Sequence, residues 1–183
     1  MTSDEAPLLL VSVGTDHHPF DRLVRWAGAW LDGHPGQLRC LMQTGTSAPP
    51  AAGAAQWRAY LEFDALQEAM AGAAAVVCHG GPGTILGARH MGAVPIVVPR
   101  QHSLGEHVDD HQVVFSRRLA ADGGIHLAET EADLHRLLDR VAAEPGSFRV
   151  GPGDRATAGA VREFERLVDG LVGERPAPRA GAR

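Results

Sequence analysis

The stretch Ala73 to Gly92, AAAVVCHGGPGTILGARHMG, constrains this chain more than any other. Ala73 to Cys78 is a short apolar run with the length and bounds of a buried strand. His79-Gly80-Gly81-Pro82-Gly83 interrupts it. Pro82 suits the first helical position, where an N–H would have no intrahelical partner anyway. Thr84 to Met91 continues as a helix, and Gly92 is placed to end it. The product is a strand, a glycine-rich turn and a helix N-terminus. Two adjacent glycines let a ligand approach the backbone, and the unpaired N–H groups of the first turn favour an anion. A tight strand-to-helix turn with no ligand satisfies the same residues.

Two familiar phosphate loops do not fit. A Walker A loop needs a lysine after its last glycine, and the chain contains no lysine. A dinucleotide fingerprint needs a small residue at its sixth position, and counting from Gly81 that position is Leu86. Any cationic contact to a phosphate must therefore come from arginine or a protonated histidine.

The 183 residues suit one domain, read here as residues 1–173 with a disordered tail over 174–183. A net charge of −5 gives no nucleic-acid footprint. Cys40 and Cys78 fall in expected buried strands, which points to inert core thiols in a reducing compartment. The opening MTSDEAP lacks a basic region, and the apolar run Leu8 to Val13 is too short for a signal or a span. The expected location is the cytoplasm.

Leu8 to Val13 reads as a first strand, buried on both faces because it does not alternate. Gly14 to Pro19 is the following turn. Phe20, Leu23, Val24, Ala27 and Leu31 recur at helical spacing, so a helix starts near Pro19. Leu38 to Met42 is a second strand, and Ser47 to Ala55 a mobile loop. Trp57 to Phe63 is a third strand, and Asp64 caps a helix to Ala71. After the central unit, Val94 to Val98 is a buried strand. Ser103-x-x-Glu106 has capping-box spacing and opens a helix from about Leu104 to Ala120. Gly124 to Leu127 is a last strand. Thr130-x-x-Asp133 opens an amphipathic helix, and Asp154 a final one carrying Val161, Phe164, Val168 and Leu171.

This alternation predicts an α/β fold: a Rossmann-like parallel sheet with helices on both faces. Ligands of such sheets bind outside the carboxyl ends of the strands, where strand order reverses. The turns at Gly14 to His18, His79 to Thr84 and Arg100 to Gln112 share that edge, with most of the histidines. His102, His107 and Arg100 are expected at its rim. His34, His90, His126 and His135 read as surface. Asp109-Asp110-His111 does not make a metal site, because adjacent helical carboxylates point about 100° apart, and no metal is expected.

The segments VSVGT, VCHGGPGTI, PIVVPR and GEHVDDHQVVFSRRLA, in that order, resemble the donor-binding half of GT-B glycosyltransferases of family 28. The likeness runs from about Leu8 to Leu127. It is similar to the peptidoglycan GlcNAc transferase, to the small single-domain eukaryotic type, and above all to bacterial exopolysaccharide transferases with split subunits. The resemblance implies a single GT-B donor-binding domain, a UDP-sugar donor that is a substrate rather than a cofactor, and inversion without a metal. By match, Gly14 and Thr15 form a diphosphate loop, and His79, Gly80, Gly81 and Thr84 the diphosphate turn. Phe63 falls beside the uracil, and His111 and Gln112 match groups that hydrogen-bond the donor sugar. Many relatives carry Glu three residues after the Thr, for the ribose, where this chain has Gly87. Glu106 is a candidate replacement, with helix capping as its other reading.

Within the chain, His18 or its neighbour His17 is the candidate general base, although two-domain relatives carry the base on the acceptor domain. The resemblance further implies a saccharide or lipid-linked acceptor and a membrane-anchored acceptor-binding subunit, which would hold the protein at the inner face of the membrane. Three readings stay open. They are the catalytic subunit of a split glycosyltransferase, a non-catalytic sugar-nucleotide sensor or scaffold, and a sugar-nucleotide-modifying enzyme of the same architecture, such as an epimerase.

Overall fold

The computed structural model describes residues 6–51, 53, 55–150 and 166. Six parallel strands form one sheet: β1 (Leu8–Ser12), β2 (Arg39–Gln43), β3 (Gln56–Arg58), β4 (Ala75–His79), β5 (Ile96–Val98) and β6 (His126–Leu127). Between them run α1 (Asp21–Gly33), α2 (Phe63–Gly72), α3 (Pro82–His90) and α4 (His111–Ala121), and α5 (Glu131–Ala143) follows β6. The spatial order is β3-β2-β1-β4-β5-β6. The chain moves outward from β1 to β3, returns to pair β4 with β1, and moves outward on the other side. Strand order therefore reverses between β1 and β4.

The period-two alternation of a strand divides each apolar run between two cores. Leu9, Val11, Ala75, Val77, Ile96 and Val98 face one way, into a cluster with α1 and α5. Leu10 and Val76 face the other way with Met70 and Ala88 of α2 and α3. Cys78 and Val97 join Ile85, Phe115 and Leu119 on that second face. A strand covered on both sides cannot alternate polar and apolar residues, which is why these runs are continuously apolar. Burial pushes the Cys40 and Cys78 thiols up to about 12, so neither is a nucleophile.

On the first face the Trp30 indole N–H donates to Asp139 Oδ1 at 2.8 Å, and His135 Nε2 lies 2.9 Å from the Trp26 carbonyl, fastening α1 to α5. His34 stacks on Trp30 at 4.3 Å and His126 packs edge-on to Phe148 at 4.7 Å. These three histidines are half-buried packing residues, not the surface groups expected, while His90 is exposed. The Thr130 capping box forms as the sequence predicts, with Asp133 N–H donating to Thr130 Oγ1 at 3.1 Å.

Several boundaries differ from expectation. The third strand is only Gln56–Arg58, at an exposed edge with one neighbour, and Phe63 opens α2 instead of ending a strand. Glu62, not Asp64, is the N-cap of α2. The last strand shortens to His126–Leu127. The helix expected from Leu104 starts at His111, after a 3₁₀ turn over His102–Leu104. Gly105 at φ +70° ends that turn, so the Ser103–Glu106 capping box does not form. The final helix from Asp154 and the tail lie outside the described residues. Among the described residues, no helix is long and apolar enough to cross a membrane.

Glu106 instead anchors its loop to α1. Arg22 donates from Nε to Oε1 at 2.8 Å, from Nη2 to Oε2 at 2.7 Å, and from Nη2 to the Pro99 carbonyl at 2.8 Å. Gln101 N–H adds a bond to Oε2 at 3.0 Å. Both partners are buried. Removing one leaves an uncompensated buried charge, which costs about 3–5 kcal/mol. Arg22→Ala is therefore expected to lower the midpoint of thermal unfolding by roughly 10 °C. An unchanged melting curve would remove this pair from the account of the fold.

Candidate functional site

The carboxyl ends of β1 and β4 flank the reversal point, and the turns leaving them converge there. Gly14, at φ +82°, turns the chain after β1. A Cβ on Gly14 would sit 2.4 Å from His79 Cε1, and one on Gly81 would sit 2.2 Å from His79 Nε2. The His79 imidazole thus fills the space between the two turns, and only glycine on either side admits it. The third glycine, Gly80, faces α4, where a Cβ would meet Ser116 Oγ at 2.8 Å and Gln112 Cβ at 2.9 Å.

The next element supplies donors. Gly81 is the N-cap of α3, Pro82 follows it, and no side chain caps the helix. The first backbone bond of that turn is Ile85 N–H to the Gly81 carbonyl at 3.1 Å. The N–H groups of Gly83 and Thr84 precede it, so they are the donors that a helix start leaves open. With the helix dipole, they can accept an anion beside His79.

His79 is buried, and its Nδ1 makes no hydrogen bond of good geometry. Burial, followed by the Arg100 charge, pushes its pKa down to about 4. The ring is therefore neutral near pH 7 and meets an anion as a polar neutral group, not as a cation.

The β1–α1 turn carries the other titratable groups. Asp16 Oδ1 accepts from His18 N–H at 2.8 Å and lies 2.7 Å from His18 Nδ1. Burial alone would raise the Asp16 carboxyl, but the two His18 contacts and the Arg100 charge outweigh it and hold the pKa at about 2. A carboxylate only accepts, so it places the His18 proton on Nδ1 and leaves Nε2 with a free lone pair. His17 is exposed, its ring 3.9 Å from that of His18. From the β5–α4 loop, His107 brings Nε2 to 3.7 Å from Asp16 Oδ2.

Arg100, expected at the rim, is fully buried. Its guanidinium donates to the carbonyls of Val13 at 2.8 Å, His18 at 2.7 Å and Glu106 at 2.9 Å. It lies over the Phe20 ring at 4.8 Å. This arginine sets the β1–α1 turn against the β5–α4 loop. Glu106, the candidate replacement for the ribose-binding Glu, is committed to Arg22 and is an anchor of that loop.

Gly14, His18, His79, Gly80, Gly81 and Thr84 thus frame one edge of the molecule. Thr15 is exposed there. Gln112 is buried over Gly80, with its Oε1 accepting from Arg100 N–H at 3.3 Å. His111 is exposed, with Nδ1 2.7 Å from Asp109 Oδ2. Phe63 presents an exposed ring at the start of α2, the helix that packs on α3. Sequence reasoning missed Asp16. The available signal was an Asp two residues before a His in a turn, the spacing of an Asx-turn.

Residues 8–148 match the model of the glycosyltransferase family 28 C-terminal domain. No curated protein sequence matches the chain. Among solved structures it is similar to CalG4, the calicheamicin glycosyltransferase, at 18% identity and a TM-score of 0.56, covering 91% of this chain and 40% of that one. It is similar to MurG of Acinetobacter baumannii at 20% identity and a TM-score of 0.55, covering 89% and 50%. For the spinosyn forosaminyltransferase SpnP the values are 20%, 0.59, 93% and 44%. The chain thus spans half or less of the length of these neighbours, and at such identity they share its fold. The family match covers the six-stranded sheet and the turns after β1 and β4, and the chain belongs to the glycosyltransferase family 28 C-terminal domain family.

Proposed function

We propose that this chain is the donor-binding, catalytic subunit of a hexosyltransferase that moves a sugar from a UDP-sugar to a saccharide or lipid-linked acceptor with inversion. The observation that carries the reading is the uncapped start of α3 beside the Gly14 turn, at the reversal point of a sheet from this family. In this reading the donor diphosphate sits on the Gly83 and Thr84 N–H groups, with the Thr84 hydroxyl and Thr15 alongside. An acceptor hydroxyl attacks the anomeric carbon from the face opposite the diphosphate. The bond from that carbon to the phosphate oxygen breaks, and its electron pair leaves with UDP. The α3 amides stabilise the growing negative charge, which requires no reorganisation because they are already in place. His18 Nε2 takes the acceptor proton, and Asp16 holds the ring and balances the imidazolium.

Titration calorimetry with UDP tests the seat. Thr84→Val is expected to weaken binding by about tenfold, the loss of one charge-assisted hydrogen bond. Gly87→Glu reports on the ribose. A Cβ at Gly87 meets nothing nearer than Met70 Sδ at 3.7 Å and Gln67 Nε2 at 3.8 Å, so the position admits a Cβ without displacing a neighbour. It is expected to tighten UDP binding by about tenfold by restoring the carboxylate that relatives carry there. No UDP binding in the millimolar range, or equal affinity in wild type and Thr84→Val, would remove the assignment.

A second reading has one specific observation behind it. Gly87 supplies no carboxylate and Glu106 is committed elsewhere, which suits a sugar-nucleotide sensor that binds without turnover. UDP-sugar binding with no transfer to any acceptor, partner present, would favour it.

A further inference from the structure

We propose that Asp16, His17, His18 and His107 form a binding site for a divalent transition-metal ion of the zinc type. The argument for the ion does not use the transfer reaction, although it shares His18 and Asp16 with it. It rests on four ligand-bearing side chains that two loops bring together. One ligand atom from each of Asp16, His17 and His18 falls within 4.8 Å of the others. Asp16 Oδ1 lies 2.7 Å from His18 Nδ1 and 3.5 Å from His17 Nδ1, and Asp16 Oδ2 lies 3.7 Å from His107 Nε2. A four-coordinate zinc ion with bonds of about 2.0–2.1 Å sets its ligand atoms about 3.4 Å apart. The separations of Asp16 Oδ1 from the two adjacent histidines bracket that value, while His107 approaches the other Asp16 oxygen with its ring centroid 6.2 Å from that of His18, so the His107 side chain must swing inward to complete the shell.

The surroundings resemble those of a metal ligand set. His107 brings its other nitrogen, Nδ1, to 3.2 Å from Asp109 Oδ1 without the geometry of a hydrogen bond, so a small rotation must form one. A carboxylate behind the second nitrogen of a ligating imidazole fixes its orientation and raises its basicity. The backbone is held as well. His18 N–H bonds Asp16, and Arg100 bonds the His18 carbonyl at 2.7 Å. Imidazole-rich sets select zinc, nickel, cobalt or copper over magnesium and calcium. Asp16 and Asp109 favour a cation here, while the Arg100 guanidinium opposes it. The expected affinity is micromolar rather than nanomolar. An ion at His18 Nδ1 displaces the proton that Asp16 now holds there, so metal and general base compete for one imidazole.

Calorimetric titration with zinc chloride tests the site on wild type, His17→Ala and His107→Gln, with melting curves to show that each folds. The expected result is one ion per chain with micromolar affinity, weakened at least about tenfold in each variant. Cobalt should give the visible absorption of a tetrahedral centre in wild type and lose it in both variants. Absence of zinc binding, equal affinity in all three proteins, or magnesium binding as tightly as zinc would overturn the proposal. Equal affinity would place the ion on other histidines of the chain.

Discussion

Replacing His18 by alanine is expected to lower the rate of sugar transfer by roughly 10²–10⁴-fold, the usual contribution of a positioned general base. In the proposed reading the diphosphate sits on the α3 amides and not on this ring, so UDP affinity should change little. The expected pattern is a fall in kcat with KM for the donor nearly unchanged, the signature of an interaction made only in the transition state. Asp16→Asn is the more discriminating variant. The introduced amide can accept from the His18 backbone, but it can donate to Nδ1 as well, so the tautomer with Nε2 free is no longer enforced. The Asp16 carboxyl, held at about 2, is ionised at any practical assay pH, so its loss should be equally visible from about pH 6 to 9. A drop in kcat for Asp16→Asn, with donor affinity kept, is the positioning result. If His18→Ala lowers affinity and turnover in parallel, the ring binds phosphate. If turnover is unchanged, His18 is not the base.

What the sequence disclosed and what it hid differ by the range of the forces involved. Strand, turn and α3 were legible because an apolar run, two glycines and a proline act within their own neighbourhood. Thr130 and Ser103 make the contrast plain. Both precede an acidic residue by three positions, and both have capping-box spacing. Thr130 forms the box with Asp133. Ser103 does not, because Gly105 turns left-handed and Glu106 is drawn into a buried pair with Arg22, far away in sequence. Arg100 shows the same limit, since its partners are carbonyls at Val13, His18 and Glu106 that only the closed sheet brings together. Local pattern reads local structure, and a buried charge is placed by partners that no window contains. The candidate site divides in the same way. His79, Gly80, Gly81 and Thr84 stand on a local motif and are assembled by it, while Gly14 is brought against His79 by the pairing of β1 with β4. The link from His18 to Asp16 lies within one turn, but the step on to His107 needs a second loop, and only the fold reveals it.

The largest expected effect after the base is that of a second protein. The chain spans 40–50% of the length of CalG4, MurG and SpnP, while its sheet matches the part of the family that holds the donor. The described residues form one sheet with the uncapped start of α3 at its edge, and in the proposed reading an acceptor is presented to that edge from the side opposite the diphosphate. Leu104, Val108 and Val114 leave large apolar side chains exposed on the β5–α4 loop and the first turn of α4, next to His107 and His111. In the proposed reading these are covered by the membrane-anchored acceptor-binding subunit, which holds the acceptor hydroxyl in line and excludes water. The chain purified alone is then expected to bind UDP with normal affinity and to transfer sugar at least about 10²-fold more slowly than in the presence of membranes carrying that subunit, since small misplacements of the acceptor cost that much. Val114→Asp should abolish the stimulation by membranes without changing UDP affinity, because the charge enters the covered surface and leaves the diphosphate seat untouched. Full transfer by the chain alone would sink the split-enzyme reading. Stimulation by membranes that survives Val114→Asp would move the docking surface elsewhere on the molecule.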